Sequence, residues 1–131
     1  MKKIIVGLVI IFSLFTLPVW SNNTSISEAY KTQQSDIQVK GEGKVIAVLA
    51  DDMKGAKHQK FILRIDNTHT ILIAHNIDLA PRIKALKKGA QIEFYGEYEW
   101  NKKGGVVHWT HKDPRNSHID GWLKYQGQKY D

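Results

Sequence analysis

From Val39 onward, short runs of β-branched and aromatic residues alternate with polar ones, and clusters of Gly, Asn, Asp or Lys close each run. A period of two predicts strands. The first covers Val39 to Leu49, with Gly41 and Gly43 ahead of Val45-Ile46-Ala47-Val48-Leu49, where glycine permits a bulge or sharp bend. Phe61 to Ile65 and Thr70 to Ala74 follow, joined through Asp66-Asn67-Thr68 as a hairpin. Ile92 to Trp100 alternates most strictly: Ile92, Phe94 and Tyr98 share one face, and Glu93, Tyr95, Glu97 and Glu99 share the other. The turn Asn101-Lys102-Lys103-Gly104-Gly105 then leads into Val106 to Thr110.

Leu79 to Leu86 breaks the alternation. Asp78 reads as an N-cap, Pro81 sits in the first turn, Ile83 and Leu86 make an apolar stripe, and Lys87-Lys88-Gly89 reads as a helix end. Three strands, a helix and a two-strand hairpin predict a mainly β domain: a small five-stranded OB-like barrel with one short helix between strands 3 and 4. Another small antiparallel barrel or roll is the competing architecture. Asp120-Gly121-Trp122 is expected to turn the C-terminal tail back onto the barrel, with Trp122 as a packing residue.

The N-terminal third reads differently. Met1-Lys2-Lys3, the apolar stretch from Ile4 to Leu17 and Val19-Trp20-Ser21 have the pattern of a cleaved signal peptide over residues 1–21. The apolar run stops at Pro18, short of the roughly 20 residues that span a bilayer, which argues against a retained anchor. Residues 22–38, rich in Ser, Thr, Asn and Gln, read as a flexible polar linker, and 39–131 as the barrel domain with its tail. The expected location is therefore periplasmic or extracellular. The chain contains no cysteine, which excludes disulfides, a thiol nucleophile and a lipid-modified N-terminal Cys. Its formal charge is +6, and loss of Lys2 and Lys3 leaves 17 basic against 13 acidic residues, a bias that favours polyanions only weakly.

The chemistry concentrates between Tyr95 and Trp122. His108, His111, Asp113 and His118 give the spacing H-x2-H-x-D-x4-H, a donor set suited to a divalent metal such as Zn. In a regular strand His108 and His111 point to opposite faces, so convergence requires the strand to end or bulge near Thr110. Glu97 and Glu99 share a face and are candidates for acid and base work with His58, His75 or His111, with Arg82 as an anion clamp. As an OB-like surface, strands 2 and 3 would bind ligand between the loops 51–57 and 101–105, which nominates Lys54, Lys57, His58, Lys102 and Lys103. Tyr95 and Trp109 are the candidate stacking rings. The ordinary alternatives stand beside these: solvated loops, a wet carboxylate stripe and histidines that pin a tail.

The strings His58-Gln59-Lys60-Phe61, His75-Asn76-Ile77-Asp78-Leu79-Ala80-Pro81-Arg82, Gly96-Glu97-Tyr98-Glu99-Trp100-Asn101 and His108-Trp109-Thr110-His111-Lys112-Asp113-Pro114, with Asp51-Asp52 and Gly55, resemble a family of short exported bacterial proteins classed as a domain of unknown function. The resemblance runs from Gly41 to Tyr130. It implies export and a compact single domain, and it implies no activity. The residues themselves point first to a binding module for an extended polar or polyanionic ligand, single-stranded nucleic acid ahead of oligosaccharide. A small metal-assisted hydrolase, phosphodiester-cleaving, is the second reading, and a protein-binding or inhibitor module the third.

Overall fold

The computed structural model describes residues 23–131, so the expected signal peptide lies outside the described residues. One helix and seven strands follow in order: α1 (Asn23–Lys31), β1 (Ile37–Val48), β2 (His58–Arg64), β3 (Thr70–Asn76), β4 (Gln91–Glu99), β5 (Val106–His108), β6 (Trp122–Tyr125) and β7 (Gln128–Tyr130). The order β1-β2-β3-β5-β4, with β4 returning to β1, closes a five-stranded barrel of OB-like topology. Closure removes the open edges that a small sheet would otherwise expose. All its ladders are antiparallel except β3 with β5, where Leu72 faces Val106 and Ile73 faces Val107.

β1 makes closure possible by serving two neighbours. Ile37 to Lys44 pairs with β4 and Lys44 to Val48 with β2, with a bulge between Val45 and Ala47. At the crossover Gly43 is required by space, because a Cβ there would lie 2.7 Å from the Arg64 carbonyl oxygen. Alternation then fills the barrel. Val39, Val45, Phe61, Leu63, Ile71, Ile73, Ile92, Phe94, Tyr98 and Val107 are all buried. The Tyr98 hydroxyl donates to the Gly104 carbonyl at 2.8 Å, and burial pushes its pKa up to about 12.

The helix lies elsewhere than the sequence suggests. Residues 77–90 form turns, not a helix, and the reason is competition for backbone groups. The buried Gln59 amide clamps Ile83 from both sides, accepting its N–H at 2.9 Å and donating to its carbonyl at 2.9 Å. His75 Nε2 holds the Pro81 carbonyl at 2.9 Å, and Ala85 takes φ 56°. Both Ile83 groups are thus spent outside any i to i−4 ladder, while Ile83 and Leu86 still plug the barrel. Asp78 accepts from Lys57 N–H across the loops, so it is not a helix cap.

The helix that does form, α1, falls in the stretch read as a flexible linker. Its composition is polar, but Ile26 and Ala29, three residues apart, share a face and are fully buried. The Tyr30 hydroxyl donates to the Lys102 carbonyl, the Tyr30 carbonyl accepts from Trp100 Nε1 and Ser27 donates to Asp66. The tail returns as expected, with β6 pairing with β4 and β7 extending it. Gly121 sets that return: a Cβ there would lie 1.8 Å from the Trp109 carbonyl oxygen, and its N–H donates to the His111 carbonyl at 2.8 Å.

Candidate functional site

The outward positions of four strands wall a cleft of about 380 Å³. Burial of Gln59 and Phe61 turns His58 and Lys60 outward on β2, and burial of Ile73 and His75 does the same for Ala74 on β3. Val106 and His108 flank the buried Val107 on β5. Glu99 of β4 and Asp52 of the β1–β2 loop complete the lining. This is the face on which OB-like barrels carry ligands.

One wall holds a carboxylate and imidazole cluster. Glu97 stands opposite His108 in the β4–β5 ladder, with Glu99 one pleat along. His108 Nε2 is 3.2 Å from Glu97 Oε2 and 3.5 Å from Glu99 Oε1. One donor atom from each of these three residues lies within 4.8 Å of the others. The His118 Nε2 reaches the other Glu97 oxygen at 3.3 Å, while its Nδ1 contacts the Ile119 carbonyl at 2.8 Å. Its ring stacks on Trp109 with centroids 4.0 Å apart and 12° between planes. Burial holds the Glu99 carboxyl above its ordinary pKa, reinforced by a hydrogen bond and repulsion from Asp36 and by Glu97, and partly offset by His108.

The required irregularity is present: β5 ends at His108 and Trp109 takes φ 56°, an outlier for so bulky a residue. It does not bring the four sequence-nominated metal donors together. His111 turns inward, is buried, and places Nδ1 on the Lys112 carbonyl at 2.8 Å. Asp113 is occupied as a loop organiser. Its carboxylate accepts from the N–H groups of Arg115, Ser117 and His118 and from the Ser117 hydroxyl, which holds its pKa at about 2. His108 and His118 are instead united by Glu97, on a strand the spacing argument did not include.

The other nominated residues fall in three places. Arg82 grips Asp51 through Nε at 2.9 Å and Nη2 at 3.1 Å, raising its own pKa and lowering that of Asp51, and stays apart from the Glu97 and Glu99 cluster. Lys54 and Lys57 are exposed in the β1–β2 loop near the cleft, whereas Lys102 and Lys103 are exposed in the β4–β5 loop, whose backbone α1 holds. His75 lies apart from the cleft, fully buried between Thr110 Oγ1 at 2.7 Å and Pro81 O, and desolvation drives its pKa to about 4.

Tyr95 joins a second surface. Opposite it in the β4–β6 ladder stands Trp122, 6.0 Å away, and Lys124, Lys129 and Lys40 place ammonium groups 4.7, 5.4 and 5.6 Å from the indole. Trp122 is thus half-buried on the outer face, not the packing residue expected. Lys40, Lys60, Lys124, Lys129 and Asp36 carry no local signature that marks them as part of either surface. Alternation around Phe61 does no more than pair Lys60 with His58; the others depend on ladder register.

Barrel, cleft and cluster together define a small closed β-barrel domain of OB-like strand order. The chain belongs to the family described as Protein of unknown function (DUF3465), which matches residues 8–131. No curated protein matches it.

Proposed function

We propose that the protein is an exported binding module for an extended anionic ligand, single-stranded nucleic acid ahead of oligosaccharide, held on the outer face of β4 and its neighbours. The observation that carries this reading is the Trp122 platform: three ammonium groups within 5.6 Å of one indole, with Tyr95 in the same row. An exposed cation–π contact is worth about 0.5–1 kcal/mol, whereas a base stacked on an aromatic ring is worth about 1–3 kcal/mol. A base can therefore displace a lysine from the indole, and the freed ammonium groups meet phosphates. Glu93 lies opposite Lys124 and Glu42 opposite Glu93, so the platform's net positive charge is modest. Tyr95 and Glu97 share the outer face of β4, so a strand leaving the platform arrives at the cleft, where His58 and Lys60 offer further donors.

The test is fluorescence anisotropy with a labelled single strand across a salt series. Binding should weaken with a log–log slope of about −0.7 for each phosphate neutralised. Trp122→Ala should reduce affinity about ten-fold or more, and the Lys124→Gln, Lys129→Gln pair should flatten the slope. No binding at low salt, or binding indifferent to both changes, refutes the reading. An acidic glycan that binds where the single strand does not would transfer it to oligosaccharide. A metal-assisted hydrolase is the second reading, favoured by the Glu97, Glu99 and His108 cluster on the cleft wall. Chelator-sensitive cleavage of the bound strand would establish it.

A further inference from the structure

The three contacts that join the cluster are long for ion pairs. Charge-assisted N–H to carboxylate bonds settle near 2.7–2.9 Å. Here the separations are 3.2 Å for His108 with Glu97, 3.5 Å for His108 with Glu99 and 3.3 Å for His118 with Glu97. The His108 Nε2 is itself buried from solvent and makes no hydrogen bond to either carboxylate. A different geometry suits the two His108 separations, with the Glu97 and Glu99 donor atoms within 4.8 Å of each other. Zinc bonds of about 2.0–2.1 Å to imidazole nitrogen and carboxylate oxygen, arranged tetrahedrally, separate neighbouring donor atoms by roughly 3.3–3.4 Å.

We infer that Glu97, Glu99 and His108 form the three protein ligands of a divalent metal site, with Zn the best-fitting ion. Two carboxylates and one imidazole suit a borderline cation, and three protein ligands leave a fourth position for water or a ligand atom. Glu99 and His108 also line the cleft, so that fourth position opens into it. His118 acts as a positioning residue. It holds the second Glu97 oxygen, and its own ring is fixed by the Trp109 stack and the Ile119 carbonyl. Supports of this kind orient a ligating carboxylate and typically account for about 10- to 100-fold in metal affinity.

Charge gives the site a purpose on this surface. Asp36, Glu97, Glu99 and Asp52 gather at or beside the cleft, and without a cation they offset the attraction of His58 and Lys60 for an anionic group arriving from the Trp122 platform. A divalent ion reverses the sign locally and supplies a coordination position for a phosphate or carboxylate oxygen, with Lys60 on the facing strand. That last step rests on the polyanion reading; the metal site does not.

Untagged protein, stripped with chelator and dialysed, is titrated with Zn2+ by calorimetry and with Co2+ by visible absorption. One equivalent should bind, Co2+ should show the intense bands of a tetrahedral site, and Zn2+ should raise Tm. Glu99→Gln and His108→Asn should each lower affinity at least 100-fold, and His118→Asn about 10-fold. All three residues face outward on the barrel or its loop, so retained tryptophan fluorescence and cooperative melting confirm that the variants fold. Absence of binding by Zn2+, Co2+ or Mn2+ at millimolar concentration overturns the inference, as does affinity unchanged in Glu99→Gln and His108→Asn. Single-strand binding without metal binding would sink the metal site and leave the proposed function standing; the converse would spare the site alone.

Discussion

His75 should make this barrel acid-sensitive in a defined window. The ring is fully buried, its Nε2 donates to the Pro81 carbonyl, and Nδ1 therefore accepts from the Thr110 hydroxyl. Burial, with smaller contributions from His111 and His58, lowers the folded-state pKa from 6.5 to about 4, and the Pro81 hydrogen bond opposes the shift only in part. The unfolded chain thus binds a proton at a pH where the native barrel does not. Stability from this group is complete above pH 6.5, is lost as pH falls, and is exhausted below about 4. At about 1.4 kcal/mol per pH unit the full loss is about 3 kcal/mol, of which about 2 kcal/mol is gone by pH 5, above most carboxylate titration. Against a total of roughly 5–15 kcal/mol that is readily measured. Urea unfolding followed by tryptophan fluorescence between pH 7.5 and 4.5 reads it, with His75→Gln as the control. The variant should start lower, because Thr110 and Pro81 lose their buried partner, but should lack this part of the slope. Equal slopes in both proteins, or an imidazole titrating near 6.5 by NMR, would show that His75 does not carry the acid sensitivity.

Gln59→Ala should cost about 2–4 kcal/mol in the same unfolding assay, because it strands both the N–H and the carbonyl of Ile83 in the barrel interior; a loss below 1 kcal/mol would show that the clamp is dispensable. Gly121→Ala should detach the β6–β7 hairpin, since the new methyl carbon would lie 1.8 Å from the Trp109 carbonyl oxygen; amide exchange over residues 122–130 should rise well before the barrel melts. Arg82→Ala removes an exposed ion pair with Asp51 and should change stability by less than about 1 kcal/mol without affecting metal or single-strand binding. A large effect on either binding would return Arg82 to the site.

The strands were legible because burial on one face of a barrel imposes a period of two, and β4 shows it most plainly: the same alternation that buries Ile92, Phe94 and Tyr98 sends Glu97 and Glu99 outward together. The barrel's order was legible from strand spacing and from the loops between. The helix was not. A cap residue, a proline and an apolar stripe at 78–86 satisfy every local rule, yet Gln59, 24 residues before Ile83, takes the Ile83 backbone groups first. Conversely, Ile26 and Ala29 look incidental in a polar segment until a barrel end exists for them to cover. The cluster divides the same way. Sequence supplied the donors His108, His118, Glu97 and Glu99, but chain proximity grouped the histidines with His111 and Asp113. Only the β4–β5 ladder register, a long-range pairing with no local signature, places His108 against two carboxylates and leaves Asp113 to tie its own loop.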